Sequence, residues 1–252
     1  MKVEELKNLC DLVENIVLET GKYALDAQLT AKKMVDKEKG DYATDVDLAC
    51  EKMILERLAK LPKTFPVFSE EANQNIDSDI YWVVDPIDGT KNYFRELPLW
   101  SINLALFDNT TDEVLLSVVY FPKLGDVYKA VKGNGATKNG HSITPSTTSD
   151  LSEAIIYVEL PNKSRDFWGE EVYNDLKRKV YRIRSWGLAA SLCYVADGGF
   201  DGFVDISGTT KDYDILPPLL IAKEAGCKIV EFDHDLDIKI RPIKVTNGVL
   251  EL

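Results

Sequence analysis

The chain has 252 residues, enough for one large domain or two closely packed small ones. Its 45% apolar and 29% charged residues are ordinary globular proportions, which excludes a disordered or fibrous protein. Forty-two Asp and Glu against thirty Lys and Arg leave a formal charge of -12. That surplus repels phosphate backbones and anionic lipid, so neither nucleic acid nor membrane is the expected partner. Two readings stay open: a solvated acidic surface, or acids gathered to hold cations.

No stretch approaches the roughly 20 apolar residues of a membrane span. The amino terminus lacks a signal-peptide layout, so the cytoplasm is the expected compartment. Cys10, Cys50, Cys193 and Cys227 are scattered in apolar contexts, which points to buried free thiols. With only His141 and His234, a histidine-rich metal site and a Ser-His-Asp triad are both poor fits.

In chain order, residues 3–27 keep a 3.6-residue apolar period and predict a long amphipathic helix. The polar run 31–41 suggests a short hairpin or loop. Thr44 opens a second helix closed by Pro62, with Asp47 in capping-box spacing. Short strands follow at 65–68 and 81–85, then a helical start at Gly89-Thr90. From Leu99 to Ala130 alternating strands and turn residues predict an antiparallel meander. The polar stretch 144–150 marks a boundary between an N-terminal α+β half, 1–143, and a C-terminal α/β half, 144–252. In the second half, strands near 154–158, 179–183, 202–204 and 228–230 alternate with helices near 168–178, 188–196 and 217–225.

Three segments carry chemistry: Phe68-Ser69-Glu70-Glu71, Trp82-Val83-Val84-Asp85-Pro86-Ile87-Asp88-Gly89-Thr90, and Lys211-Asp212-Tyr213-Asp214 just before a helix. Acids that follow directly on apolar strands sit at the rim of a sheet. Asp88 is expected in a turn after Pro86, and the backbone at Gly89-Thr90 at a helix start suits a phosphate. Hard divalent cations take oxygen ligands, and a pair of them can clamp an in-line displacement. Taken singly, Asp88-Gly89 reads as a turn and Glu70-Glu71 as a solvated pair; together they leave the strand-end placement unexplained. An aspartyl-phosphate route is rejected, because Asp85 and Asp88 are three apart with proline between them.

These segments, with Asp41-x-x-Thr44-x-x-Asp47, Gly133-Asn134-Gly135-Ala136 and Glu224-Ala225-Gly226, resemble the inositol monophosphatase family of Mg²⁺-dependent, lithium-sensitive phosphatases. The resemblance covers almost the whole chain and implies a layered α/β/α/β/α sandwich, a homodimer and a small phosphorylated substrate. It implies two or three Mg²⁺ ions held by Glu70, Asp85, the Ile87 carbonyl, Asp88 and Asp214. Asp47 with Thr90 is implied as the proton-accepting dyad, and Glu70 as the residue that helps hold a third ion. Phosphate is implied at Gly89 and Thr90. Gly187 and Ala189 correspond to the segment lining the sugar or inositol pocket, and Asp205 falls near a position that contacts substrate hydroxyls. The reaction implied is hydrolysis of a polyol or sugar monophosphate, first of all inositol monophosphate, without a phosphoenzyme. Fructose-1,6-bisphosphatase, phosphoadenosine-phosphate phosphatase, histidinol-phosphate phosphatase and a protein-binding regulatory role are the alternatives. The chain departs from the family pattern in Tyr213 before Asp214, in Cys227, and in a 205–214 segment about two residues longer than usual. It also has Pro217-Pro218, expected in a first helical turn.

Overall fold

The structure is a computed structural model and describes residues 1–29, 34–38, 41–71, 76–161, 169–231 and 243–252. Its first helix, α1 (Val3–Gln28), keeps the expected period and buries Leu6, Leu9, Val13, Ile16, Val17 and Ala24 along one face. The hairpin option holds for the segment after it: β1 (Met34–Glu38) pairs antiparallel with β2 (Asp41–Thr44). α2 (Asp45–Leu58) then starts one residue after Thr44 and stops before Pro62 is reached, a shorter helix than expected.

β3 (Val67–Ser69) lies parallel to β4 (Ile80–Asp88), and the expected meander follows as β5 (Ser101–Asp108), β6 (Glu113–Phe121), β7 (Asp126–Val131), β8 (Ala136–Lys138) and β9 (His141–Ser142). Together they form a seven-stranded sheet in sequential order. The one-turn helix α3 (Thr90–Phe94) is inserted between β4 and β5. The second sheet has five strands. β10 (Ile155–Glu159) lies parallel to β11 (Arg182–Arg184) and β12 (Gly202–Asp205), while β14 (Ile243–Thr246) runs antiparallel between β12 and β13 (Lys228–Glu231). β14 has no counterpart in the sequence reading.

Helices separate and cover the sheets in the expected layers. α1 and α2 cover one face of the large sheet over a core that includes Trp82, Trp100, Ile102 and Leu104. Each such side chain, fully withdrawn from water, contributes about 1.5–3 kcal/mol relative to exposure. α6 (Asp212–Ala225) is the middle layer: Ile215, Leu220, Ile221 and Ala222 pack with Val119 and Phe121 of the large sheet and Tyr157 and Phe203 of the small one. A 3-10 turn (Ala189–Leu192) and the short α5 (Cys193–Ala196) complete that layer, and α4 (Glu170–Lys179) covers the far face of the small sheet through Leu176. Trp168 and His234 lie outside the described residues. Cys10, Cys50 and Cys193 are buried free thiols and Cys227 is half-buried.

Three expectations are corrected. Lys179 ends α4 rather than opening a strand; β11 begins at Arg182, after Val180 and Tyr181 turn the chain. Asp214 is inside α6, its third residue, and Pro217 and Pro218 therefore fall in the second turn. There each proline removes an i→i−4 hydrogen bond. The helix continues because both rings are buried and Ser117 Oγ donates to the Pro217 carbonyl at 2.6 Å, tying the turn to β6. Asp88 belongs to β4 and not to a turn beyond it. Asp85 pairs with Asn103 and Asp88 with Ser101, so β4 carries one extra residue in a bulge. Pro86, which has no N–H, fits there, and the Ile87 N–H is taken by Asp85 Oδ1 at 3.0 Å.

Candidate active site

The bulge of β4 and the first turn of α6 meet where the two sheets approach the middle layer. Asp85, Asp88 and Asp214 each turn a carboxylate oxygen to one place, all within 4.8 Å of one another. β3 lies beside β4, and the Glu70 N–H donates to the Val84 carbonyl at 3.2 Å, which sets Glu70 next to Asp85 in the sheet. Glu70 is not one of the three converging oxygens, but its charge acts on both Asp85 and Asp214.

Crowding of acids has an electrostatic cost. Burial, then the charges of Glu70, Asp88 and Asp214, push the Asp85 carboxyl well above the carboxylate range. Burial and the Asp88 charge do the same to Asp214, opposed by the Lys211 backbone N–H, which donates to Asp214 Oδ2 at 2.7 Å. Asp88 is pushed up to about 7 by burial, against the donors Ala190 N–H (3.0 Å) and Asn103 Nδ2 (3.3 Å), both on Oδ2. Ser101 Oγ donates to Asn103 Oδ1 at 2.9 Å, so the amide is oriented before it reaches Asp88. Three oxygen donors that cannot all stay charged without a counter-charge fit a hard divalent cation.

Thr90 links this cluster, through the Ile87 carbonyl, to Asp47. Asp47, fully buried on α2, accepts from Thr90 Oγ1 at 3.1 Å; the same hydroxyl lies 3.2 Å from the Ile87 carbonyl. Gly89 caps α3 with φ +84, and a Cβ there would come within 3.2 Å of Leu188 Cδ1 and 3.3 Å of the Leu99 carbonyl. Gly187 is exposed at φ +63 with open space around it, while Ala189 is buried at the start of the 3-10 turn. Asp205 is 1% exposed: its Oδ1 accepts the Ser207 N–H (2.8 Å) and hydroxyl (2.7 Å), but Oδ2 has no hydrogen-bond partner among the described residues. Burial pushes its carboxyl up, opposed by the Thr210 and Ser207 hydroxyls.

Sequence reasoning missed Asn103, the Ala190 N–H and Glu159. Glu159 ends β10 beside Asp205 in register, and the two share the strand face of Tyr157 and Phe203. Its signal was available: Tyr157-Val158-Glu159 is an apolar strand ending in an acid, the same pattern that singled out Asp85. Asn103 and Ala190 have no local signal, because their roles exist only across strands or between halves.

In a mixed, layered α+β fold, the buried Asp85 and Asp88 and the half-buried Asp214 converge into a group that could hold a metal ion. The family model for the inositol monophosphatase family matches residues 4–250, and the chain belongs to that family. Nus factor SuhB of Escherichia coli (strain K12) is 32% identical over 186 residues, 71% of this chain and 67% of that protein. A fructose-1,6-bisphosphatase/inositol-1-monophosphatase of Aquifex aeolicus is 33% identical over 65% of this chain and 63% of its own length. Among solved structures, an IMPase of Thermotoga maritima superposes with a TM-score of 0.84 at 28% identity, covering 96% of this chain and 93% of that one.

Proposed function

We propose that the chain is a Mg²⁺-dependent phosphomonoesterase that hydrolyses a small polyol or sugar phosphate, inositol monophosphate first among them, with water and no phosphoenzyme. The convergence of Asp85, Asp88 and Asp214 within 4.8 Å carries the reading. These three, with Glu70 and the Ile87 carbonyl, are the groups that would hold Mg²⁺, two or three ions in all. Bound there, Mg²⁺ supplies Lewis acidity to water and to the phosphoryl oxygens.

The protein's own groups supply the remainder. Asn103 and the Ala190 N–H fix the Asp88 carboxylate in one orientation. Asp47 is assigned to accept a proton through the Thr90 hydroxyl, a role that their hydrogen bond supports. Gly89, where a Cβ would crowd Leu188 and the Leu99 carbonyl, lets β4 pass into α3, and phosphate is assigned to the backbone at Gly89 and Thr90. Asp205, which the family resemblance sets near a position that contacts substrate hydroxyls, is assigned to the alcohol part of the substrate. Gly187 and Ala189 line the same pocket, and a homodimer is part of the proposal.

Phosphate release from inositol 1-phosphate, fructose 1,6-bisphosphate, phosphoadenosine phosphate and histidinol phosphate, with and without Mg²⁺, tests the reading. Release is expected only with Mg²⁺, and Asp85→Asn or Asp214→Asn should lower it by about a hundredfold or more. Undiminished release by either variant sinks the assignment. A regulatory protein-binding role is the second reading, favoured by relatives that carry the name Nus factor. An Asp214→Asn chain that lacks activity yet sustains the biological role would select it.

A further inference from the structure

The turn 186–190 joins the proposed alcohol pocket to the acid cluster, and its backbone is held at Trp186, Leu188 and Ala190. Tyr157 Oη donates to Glu159 Oε2 at 2.8 Å and accepts the N–H groups of Trp186 (3.3 Å) and Leu188 (3.1 Å). Glu159 Oε2 takes a second share of the Leu188 N–H at 3.2 Å. From the other half, Asn92 Nδ2 donates to the Trp186 carbonyl at 3.1 Å while also bonding the Leu99 carbonyl at 2.8 Å. The Trp186 ring meets Tyr157 edge to face, centroids 5.3 Å apart, and its indole N–H donates to Ser191 Oγ at 2.6 Å. Gly187, in the left-handed region, is the exposed point of an otherwise tethered turn.

Glu159 is an expensive residue to place there. It is 9% exposed, stands beside the Asp205 carboxylate on the neighbouring strand, and feels the Asp88 charge as well. Like charges directly opposite one another in a sheet are destabilising. A hydrophobic residue would pack at that strand end without the penalty, but it would leave the Tyr157 hydroxyl without its acceptor and the Leu188 N–H with the Tyr157 oxygen alone.

We infer that Glu159 and Tyr157 are positioning residues for the phosphatase site: they hold the Trp186–Leu188 turn so that its backbone forms the alcohol side of the pocket. This rests on the phosphomonoesterase reading above. The pair acts through the turn and touches neither phosphorus nor the metal-binding acids. Because the tethered residues Trp186 and Leu188, unlike Ala190, bond none of the metal-binding acids, loosening them weakens substrate binding more than turnover.

Amide hydrogen exchange of the full chain, followed in the segment 186–190, reads the tether without any substrate. Glu159→Ala and Tyr157→Phe should each speed exchange there by about tenfold, with the seven-stranded sheet unchanged, and Glu159→Gln, which keeps an acceptor oxygen, should stay within about threefold of the wild type. With the ester that the wild type hydrolyses, Glu159→Ala should raise KM by about tenfold and hold kcat within about threefold, and Gln should restore KM. Unchanged exchange in both Glu159→Ala and Tyr157→Phe overturns the inference, as does an Ala variant whose KM matches wild type. Should Glu159→Ala fail to fold, Tyr157→Phe and Glu159→Gln carry both measurements. A wild type that hydrolyses no ester removes the phosphatase reading, and the exchange result alone then decides whether the pair tethers the turn.

Discussion

The backbone N–H of Ala190 donates to Asp88 Oδ2 at 3.0 Å, across 102 positions of sequence. An acid of the first half's β4 is thereby oriented by a turn of the second half. The cluster depends on both sheets being in place, and the consequences are measurable.

Metal binding should stabilise the chain more at high pH than at low pH. The Asp85, Asp88 and Asp214 carboxyls are all raised by burial, so their contribution to stability is complete below the unfolded carboxylate range and is lost as pH rises through the folded values. A divalent cation offsets the charge that appears. Chelator-treated protein at pH 8 should gain about 5–10 °C in Tm on saturation with Mg²⁺. The gain should shrink at pH 5.5 and in Asp85→Asn, whose own Tm without metal should equal or exceed wild type. Equal Mg²⁺ shifts in the two proteins, followed by thermal melts, would contradict this.

Thr90 and Asp47 should fail as a pair. Thr90→Ala removes the hydroxyl and Asp47→Asn removes the acceptor charge, and each should reduce kcat by about 10²–10⁴-fold. Thr90→Ser keeps the hydroxyl and should retain activity within about tenfold. The double variant should be little worse than either single one, which steady-state kinetics will show.

Glu224 should matter to folding although it is far from the acids. Its carboxylate on α6 accepts the backbone N–H groups of Gly133 (2.8 Å), Asn134 (3.1 Å) and Gly135 (2.9 Å), closing the β7–β8 turn against the middle layer. Glu224→Ala leaves those donors to water and should cost about 1–2 kcal/mol in urea unfolding, with kcat unchanged. A loss of activity without loss of stability would show that the contact does something else.

Glu159 gives a second pH dependence. Burial, opposed by the Tyr157 hydroxyl and reinforced by Asp205 and Asp88, raises its carboxyl from 4.5 to about 8. The folded chain therefore holds that proton more tightly than the unfolded chain. The resulting stability is full below pH 4.5 and lost as pH climbs to about 8. Glu159→Gln cannot ionise, so its stability relative to wild type should improve steadily across that window. Urea unfolding at pH 5, 6.5 and 8.5 checks the trend; a constant difference would show that Glu159 does not titrate there.

Amphipathic period alone placed α1 within a residue at either end, and alternation placed the meander, because those patterns are local consequences of which face is buried. The acids Glu70 and Asp85 were legible because each follows directly on an apolar run, although β4 continues past Asp85 to Asp88, while Asp205 was reached only through the family resemblance. The same rule applied to β10 would have reached Glu159. Asp214 converges with Asp85 and Asp88, but it lies inside its helix and not before it, because two prolines mimic a helix start and the packing of α6 between two sheets keeps the helix going before them. The β4 bulge was hidden as well, since its extra residue exists only relative to β5.

The amino-acid sequence by itself determined most of the elements, the acidic chemistry and the family pattern, all properties of short segments and their order. Tertiary structure decided which acids converge and which backbone N–H groups orient them. Those outcomes depend on distances between residues tens to a hundred positions apart, set by layer packing and strand register, and local periodicity carries no measure of either.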